Sequence, residues 1–188
     1  MRFRPTSIQG FTIVELDVHR DPRGAFCRTF CEKEFAEAGI PFRVVQANLS
    51  LNPHLHTLRG MHFQEAPHGE PKIVSCLKGR MFDVAVDLRP ESPTYRRWEG
   101  LELSPGHERM IHLAEGLAHG FLTLEPDTEV HYLMGASYVP EAARGVRWDD
   151  PAFAIDWPAA PAIISERDRA YALIEDSVPG TGRAGPAE

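Results

Sequence analysis

Residues 72–89, KIVSCLKGRMFDVAVDLR, alternate between two kinds of side chain on either side of a Lys78-Gly79 turn. Counting by twos, as a strand requires, puts Lys72, Val74, Cys76, Met81, Asp83, Ala85 and Asp87 on one face. The other face carries Ile73, Leu77, Phe82, Val84, Val86 and Leu88, interrupted by Ser75 and Arg80. A hairpin closed at Lys78-Gly79 pairs Leu77 with Arg80, Val74 with Asp83 and Lys72 with Ala85. The second face is apolar enough to demand burial. The first, with Lys72 and Asp83, then meets solvent or lines a polar cavity.

The same period of two extends in both directions, broken by turn residues at short intervals, which is the signature of an all-β sandwich or barrel. Strands are expected at Gly10–Asp17, Phe42–Ser50, Leu58–Gln64, Lys72–Lys78, Arg80–Asp87, Arg97–Leu103, Glu108–Leu113, Ala118–Leu124, Glu129–Met134 and Gly145–Trp148. Further turns fall at Pro105-Gly106 and Pro126-Asp127. Short helices are expected at Glu32–Ala38, before the breaker Gly39-Ile40-Pro41, and near Ser165–Glu175, with Ser165 as N-cap. With no repeat and no linker, residues 1–176 read as one β-rich domain. Residues 177–188, rich in Pro, Gly, Ala and Glu, read as a disordered tail.

Composition narrows the partners. The 188 residues are 43% hydrophobic and 25% charged, with a formal net charge of −7. An acidic molecule is not built to attract nucleic acid or an anionic membrane, although a locally basic pocket can still hold a small phosphorylated ligand. The first residues lack an apolar run fit for a signal peptide, and no segment approaches the roughly 20 apolar residues of a membrane helix. The three cysteines, Cys27, Cys31 and Cys76, lack metal-site spacing and suit a reducing cytoplasm.

Two polar constellations stand out. In LRGMHFQ, residues 58–64, strict alternation separates Arg59 from His62, but Gly60 lies between them. A glycine within a strand often marks a bulge, which re-aims its neighbours, so both side chains can enter one cavity. In the hairpin about Pro126-Asp127, pairing Leu124 with Glu129 sets Phe121 opposite Tyr132 and His119 opposite Met134. His119 and Tyr132 then share one side of neighbouring strands.

In order along the chain, LRGMHFQ, KIVSCLKGRMFDVAVDLRPESPTYRRW, EGLAHGFL, Tyr132 with Tyr138, GVRWDDPAFAIDWP and ISERD resemble the dTDP-4-dehydrorhamnose 3,5-epimerase family from about Gly10 to Asp168. The resemblance implies a cupin-type β-barrel (a jelly roll) and cofactor-independent epimerisation of a nucleotide-linked 4-keto-6-deoxyhexose. It implies His62 as base, Tyr132 as acid and Asp168 as the carboxylate that orients the histidine. It implies substrate contacts at Arg23, Gln46, Asn48, Arg59, Lys72, His119 and Arg167, with Tyr138 shaping the sugar pocket or packing near the WDDP turn. It also implies a homodimer that exchanges N-terminal strands, so that Arg23 serves the partner's site.

These residue types suit the chemistry. The C3 and C5 protons are both α to the C4 carbonyl, and removing either gives a stabilised enolate. Histidine is a base of near-neutral pKa, and a carboxylate partner fixes its tautomer. Inversion needs a second acid on the opposite face, and a tyrosine with a reference pKa of about 10 stays protonated until used. Lys72 can meet the enolate oxygen, and Arg59 and Arg23 offer forks matched to a diphosphate. Neither a metal nor another cofactor is needed.

The sequence departs from the family at several points. Arg28 stands where a glutamate usually contacts the nucleotide side, and Ala143 replaces a second glutamate. Leu133-Met134-Gly135 replaces a lysine and two threonines, and Arg167 replaces a lysine. If Arg28 faces the base, an acceptor has become a donor; otherwise it points to solvent. A single-centre epimerase of a related nucleotide sugar is the nearest alternative. A metal-dependent cupin needs a second histidine where Gln64 stands, and the His54/His56 pair lies in an expected loop. A merely binding barrel has no need of an acid–base pair.

Overall fold

Strands that are apolar on both faces need cover on both sides. The computed structural model, which describes residues 1–174, meets that need with two facing sheets, each carrying a further layer on its outer surface. The chain runs through β1 (Arg2–Pro5), β2 (Phe11–Glu15), β3 (Val18–Asp21), β4 (Gly24–Cys27), helix α1 (Glu32–Glu37), β5 (Gln46–Asn52) and β6 (Leu58–Gln64). It continues through β7 (Lys72–Lys78), β8 (Met81–Asp87), β9 (Trp98–Leu103), β10 (Arg109–Leu113), β11 (Leu117–Thr123), β12 (Thr128–Met134), β13 (Ala143–Gly145) and helix α2 (Glu166–Arg169). Among the described residues, one sheet has the order β1-β2-β10-β7-β12-β5, the other β13-β6-β11-β8-β9, and β3–β4 forms a separate hairpin. This is an all-β jelly roll of the cupin type.

The expected pairing of β7 with β8 is wrong. β7 pairs with β10 and β12, whereas β8 pairs with β11 and β9, so the Lys78-Gly79 turn carries the chain from one sheet to the other. Gly79 has φ +74°, and a Cβ there would lie 2.5 Å from Thr128 Oγ1. The face assignment survives the change of partners. Val74 and Cys76 from one sheet meet Met81 and Ala85 from the other in the interior, together with Phe11, Ile111, Phe121 and Val130. Ile73 packs outward against Phe35 of α1 and Phe42, and Val84 and Val86 pack outward against Phe153 and the Trp157 region. A paired hairpin would have left one apolar face on each strand with a single shared cover. Crossing between sheets buries both faces separately.

The Pro126-Asp127 turn is a second crossing. β11 pairs with β6 and β8, and β12 with β5 and β7, so the predicted register of Leu124 with Glu129 does not form. His119 and Tyr132, expected as neighbours in one sheet, come from opposite sheets and meet edge to face across the interior, ring centroids 6.0 Å apart at 77°.

Other boundaries shift locally. The strand expected from Phe42 begins at Gln46, because Phe42 serves as a core anchor under α1. The strand expected at Gly145–Trp148 lies instead at Ala143–Gly145, beside β6. β1 and the β3–β4 hairpin, both short and polar, carried no alternating apolar signal. The second helix is one turn long, with Ser165 accepting from the Asp168 N–H as its N-cap; Glu175 and the expected tail at 177–188 lie outside the described residues. No described helix is long and apolar enough to cross a membrane.

The bulge expected at Gly60 is present. His119 pairs with His62 and Phe121 with Arg59, so β6 spends three steps where β11 spends two. Gly60 has φ +142°, and a Cβ there would sit 2.5 Å from the Gly120 Cα. The two glycines let the backbones touch. Gly60→Ala combines strain at a glycine-only conformation with a backbone clash, and is expected to cost at least about 2 kcal/mol in urea unfolding.

His112 gives a second expectation. It is buried with Nδ1 unpartnered, edge-on to Phe35 and Phe42, and burial pushes its imidazole down to about 4. The unfolded chain therefore takes up the proton first as pH falls. Stability is full above about pH 6.5 and falls by roughly 3 kcal/mol as pH drops through 4. Urea titrations at several pH values should show that slope flattened in His112→Phe.

Candidate active site

The bulge decides which side chains of β6 point inward. With one extra residue between them, Arg59 and His62 both line a cavity of about 330 Å³ between the sheets. β5 contributes Gln46 and Asn48, β7 contributes Lys72, β11 contributes His119 and β12 contributes Tyr132. Tyr138, Ala143 and Arg167 stand at its mouth. All but one of the residues singled out above for binding or chemistry line this cavity or, as with Asp168, bond to one that does.

His62 is held from below. Its Nε2 lies 2.7 Å from Asp168 Oδ1, and the other carboxylate oxygen accepts the Gly60 N–H at 3.2 Å. Burial alone would raise the Asp168 pKa, but the bonds from His62, Gly60 and Ser165 outweigh it and hold the carboxyl below its ordinary range. An ionised Asp168 accepts, so Nε2–H donates to it and Nδ1 is left as the basic nitrogen.

The second carboxylate–histidine pair has a different character. Asp83 Oδ2 lies 2.8 Å from His119 Nε2, with both side chains buried, and Asp83 Oδ1 has no partner. Burial raises the Asp83 pKa despite the opposing pull of His119 and Lys72. Asp83 is thus the hydrogen-bond partner of His119. Across from them, burial pushes the Tyr132 phenol far above its usual value; Asp83 adds to the shift and Arg59 opposes it. Tyr132 is therefore a neutral O–H at any ordinary pH.

The cations are braced by neighbours. Arg59 donates from Nε to Asn52 Oδ1 at 2.8 Å, and buried Asn52 is itself tied to the Thr128 carbonyl at 3.0 Å. Lys72 is buried and pairs with Glu70 at 2.8 Å. Glu70 escaped sequence reasoning because it lies in an irregular loop, two residues from Lys72 but outside any strand period. Tyr138 is carried on a loop that Gln46 and Gln64 tether: Tyr138 N–H donates to Gln46 at 3.1 Å and Val139 N–H to Gln64 at 2.6 Å.

Arg23 is the exception. It sits on the β3–β4 hairpin, outside both sheets, with its side chain 89% exposed and paired with Asp21. Within one chain it does not reach the cavity. Arg28 also points away, bonding Glu34 at 2.8 Å in an exposed pair. Among the described residues, no three or more of His, Cys, Asp and Glu are grouped so as to hold a metal ion, and His54 and His56 stay outside the cavity lining.

Comparison with known proteins gives this site its setting. Residues 5–176 match the family described as dTDP-4-dehydrorhamnose 3,5-epimerase. A dTDP-4-dehydrorhamnose 3,5-epimerase from Methanothermobacter thermautotrophicus is 44% identical over 180 residues, covering 94% of this chain and 96% of its own. A dTDP-4-dehydrorhamnose 3-epimerase from Streptomyces niveus is 40% identical over 178 residues, covering 94% and 86%. Among solved structures, a 4-keto-6-deoxy sugar epimerase of the novobiocin biosynthetic gene cluster of Streptomyces spheroides superposes with a TM-score of 0.89. It is 40% identical, and the match covers 94% of this chain and 89% of that one. The matched segment carries both carboxylate–histidine pairs and Tyr132, and the chain belongs to the dTDP-4-dehydrorhamnose 3,5-epimerase family of isomerases.

Proposed function

We propose that this protein epimerises dTDP-4-dehydro-6-deoxyglucose at C3 and C5, giving dTDP-4-dehydrorhamnose. The single observation that carries the reading is the opposition of His62, with its free Nδ1, to the neutral phenol of Tyr132 in one cavity, from opposite sheets. His62 removes a proton α to the C4 carbonyl. The charge that develops on the enolate oxygen is met by Lys72 from one sheet and by His119, backed by Asp83, from the other, both lining the cavity. Tyr132 then donates its proton to the other face of the carbon, inverting it. The phenolate regains a proton from solvent and His62 releases the one it took, so the enzyme returns to its starting state. Each carbon needs one such cycle, and the chemistry as written calls on no cofactor.

Arg59, with Arg167 at the mouth, suits the diphosphate; Gln46, Asn48 and the exposed ring of Tyr138 suit the nucleoside. Arg23 fits a homodimer in which exchanged N-terminal strands bring the hairpin to a second copy's cavity. An isolated two-stranded hairpin is marginal in water, and Phe26 at its surface is 75% exposed, so a covering partner is physically reasonable. The free thiols of Cys27, Cys31 and Cys76 fit a reducing compartment, and we assign the reaction to the cytoplasm. Inversion at one carbon only is the second reading, favoured by the similarity to the 3-epimerase of Streptomyces niveus.

Incubation with dTDP-4-dehydro-6-deoxyglucose in deuterium oxide tests the reading. The expected result is deuterium at both C3 and C5. Label at one carbon alone supports the single-centre reading, and label at neither defeats both. His62→Ala should slow exchange by about 10²–10⁴-fold with dTDP binding largely kept. Mixing Arg23→Ala with His62→Ala subunits should restore activity that neither has alone, and no recovery after subunit exchange would rule out a shared site.

A further inference from the structure

Beyond the cavity lining, one aromatic ring lies against the base. Tyr171 follows α2 directly, three residues after Asp168, and its ring stands edge to face with the His62 imidazole, centroids 6.2 Å apart at 68°. The space for that ring is made by Gly145. A Cβ on Gly145 would sit 2.2 and 2.3 Å from Tyr171 Cε2 and Cζ, and Gly145 is the direct neighbour of His62 in the β13–β6 register. The Arg167 guanidinium lies over the same ring, 5.8 Å from its centroid. The Tyr171 hydroxyl is buried, and its polar neighbour is the Arg167 guanidinium.

These contacts divide the work of holding His62. Asp168 anchors one nitrogen, but a single hydrogen bond leaves the imidazole free to tilt about the Nε2–Oδ1 axis. A side chain that is 42% exposed toward a cavity has little else to stop it. The ring of Tyr171 supplies a wall against the imidazole, itself held between the Gly145 backbone and Arg167. We propose that Tyr171 is a positioning residue for the base, its ring holding the His62 imidazole at the angle at which Asp168 can fix the tautomer, with its hydroxyl playing no part. The hydroxyl interacts with Arg167 and it is the ring that meets His62, so the effect on the base passes through the ring. The proposal rests on the reading of His62 as base.

The test separates the two. Nitrogen-15 NMR of the histidine rings reads the His62 tautomer without any turnover. Wild-type protein and Tyr171→Phe are expected to hold a single tautomer protonated at Nε2, and Tyr171→Leu a mixture of both. In steady-state assays Tyr171→Phe should keep kcat, whereas Tyr171→Leu should lose tenfold or more in kcat with KM little changed, since a displacement of about 1 Å in a catalytic group can cost 10²-fold. Gly145→Ala, which pushes on the same ring from the other side, should reproduce the Leu signature. Loss of kcat in Tyr171→Phe equal to that in Tyr171→Leu would assign the effect to the hydroxyl and overturn the proposal. So would an unmixed His62 tautomer in folded Tyr171→Leu. Failure of wild-type protein to exchange deuterium would instead sink the reading of His62 as base, whatever the tautomer showed.

Discussion

The site depends on two backbones that touch. Gly60 and Gly120 pack Cα against Cα between β6 and β11, closer than any side chain would permit, and the register slips by one residue at that point. The slip turns Arg59 and His62 toward the same interior. It also presents the Gly60 N–H to Asp168, so the same glycine that aims His62 helps hold the Asp168 carboxylate ionised. Function here begins as a packing constraint. A strand of regular alternation would have sent one of the two side chains into the outer layer with Met61.

From that constraint follows a cavity in which two carboxylate–histidine pairs do different things. Asp168 collects hydrogen bonds and has its pKa lowered; Asp83 is buried more completely, keeps one oxygen unpartnered and has its pKa raised. Environments that push like groups apart are how one site holds different protonation states at one pH. Tyr132, facing both across the sandwich, is kept neutral by the same desolvation. The polar interior is thus graded, with the half-exposed His62 bonded to one carboxylate and the buried His119 bonded to a more deeply buried one. The two crossings at Lys78-Gly79 and Pro126-Asp127 make the gradient possible, because they set β7 and β12 opposite β8 and β11.

The departures noted in the sequence fall in different places, with Met134 lining the cavity two residues from Tyr132. Ala143 lines the mouth beside Arg144 and Arg167, and Arg28 bonds to Glu34 away from the cavity of its own chain. On the proposed function, the differences at Ala143 and Arg28 bear on the nucleotide, while His62, Tyr132 and Asp168 carry the chemistry.

The sequence by itself determined a good deal. Alternation located β6 to β12 to within a few residues and sorted the side chains of β7 and β8 into two faces, because side-chain period is a local property of an extended chain. The motifs named the family, and Gly60 announced a bulge. What alternation could not determine was which strand lies beside which. A tight turn serves a hairpin and a crossing between sheets equally well, and the choice rests on covering two apolar faces at once, which is a property of the whole fold. For the same reason His119 and Tyr132 were read as neighbours in one sheet when they meet across two. Glu70 and Tyr171 left no trace in any period, since both stand in irregular segments, Glu70 two residues before Lys72 and Tyr171 brought to His62 by tertiary packing. The short polar strands β1, β3 and β4 were invisible because nothing apolar recurs in them. Residue types set the chemistry, and tertiary structure alone decided who faces whom.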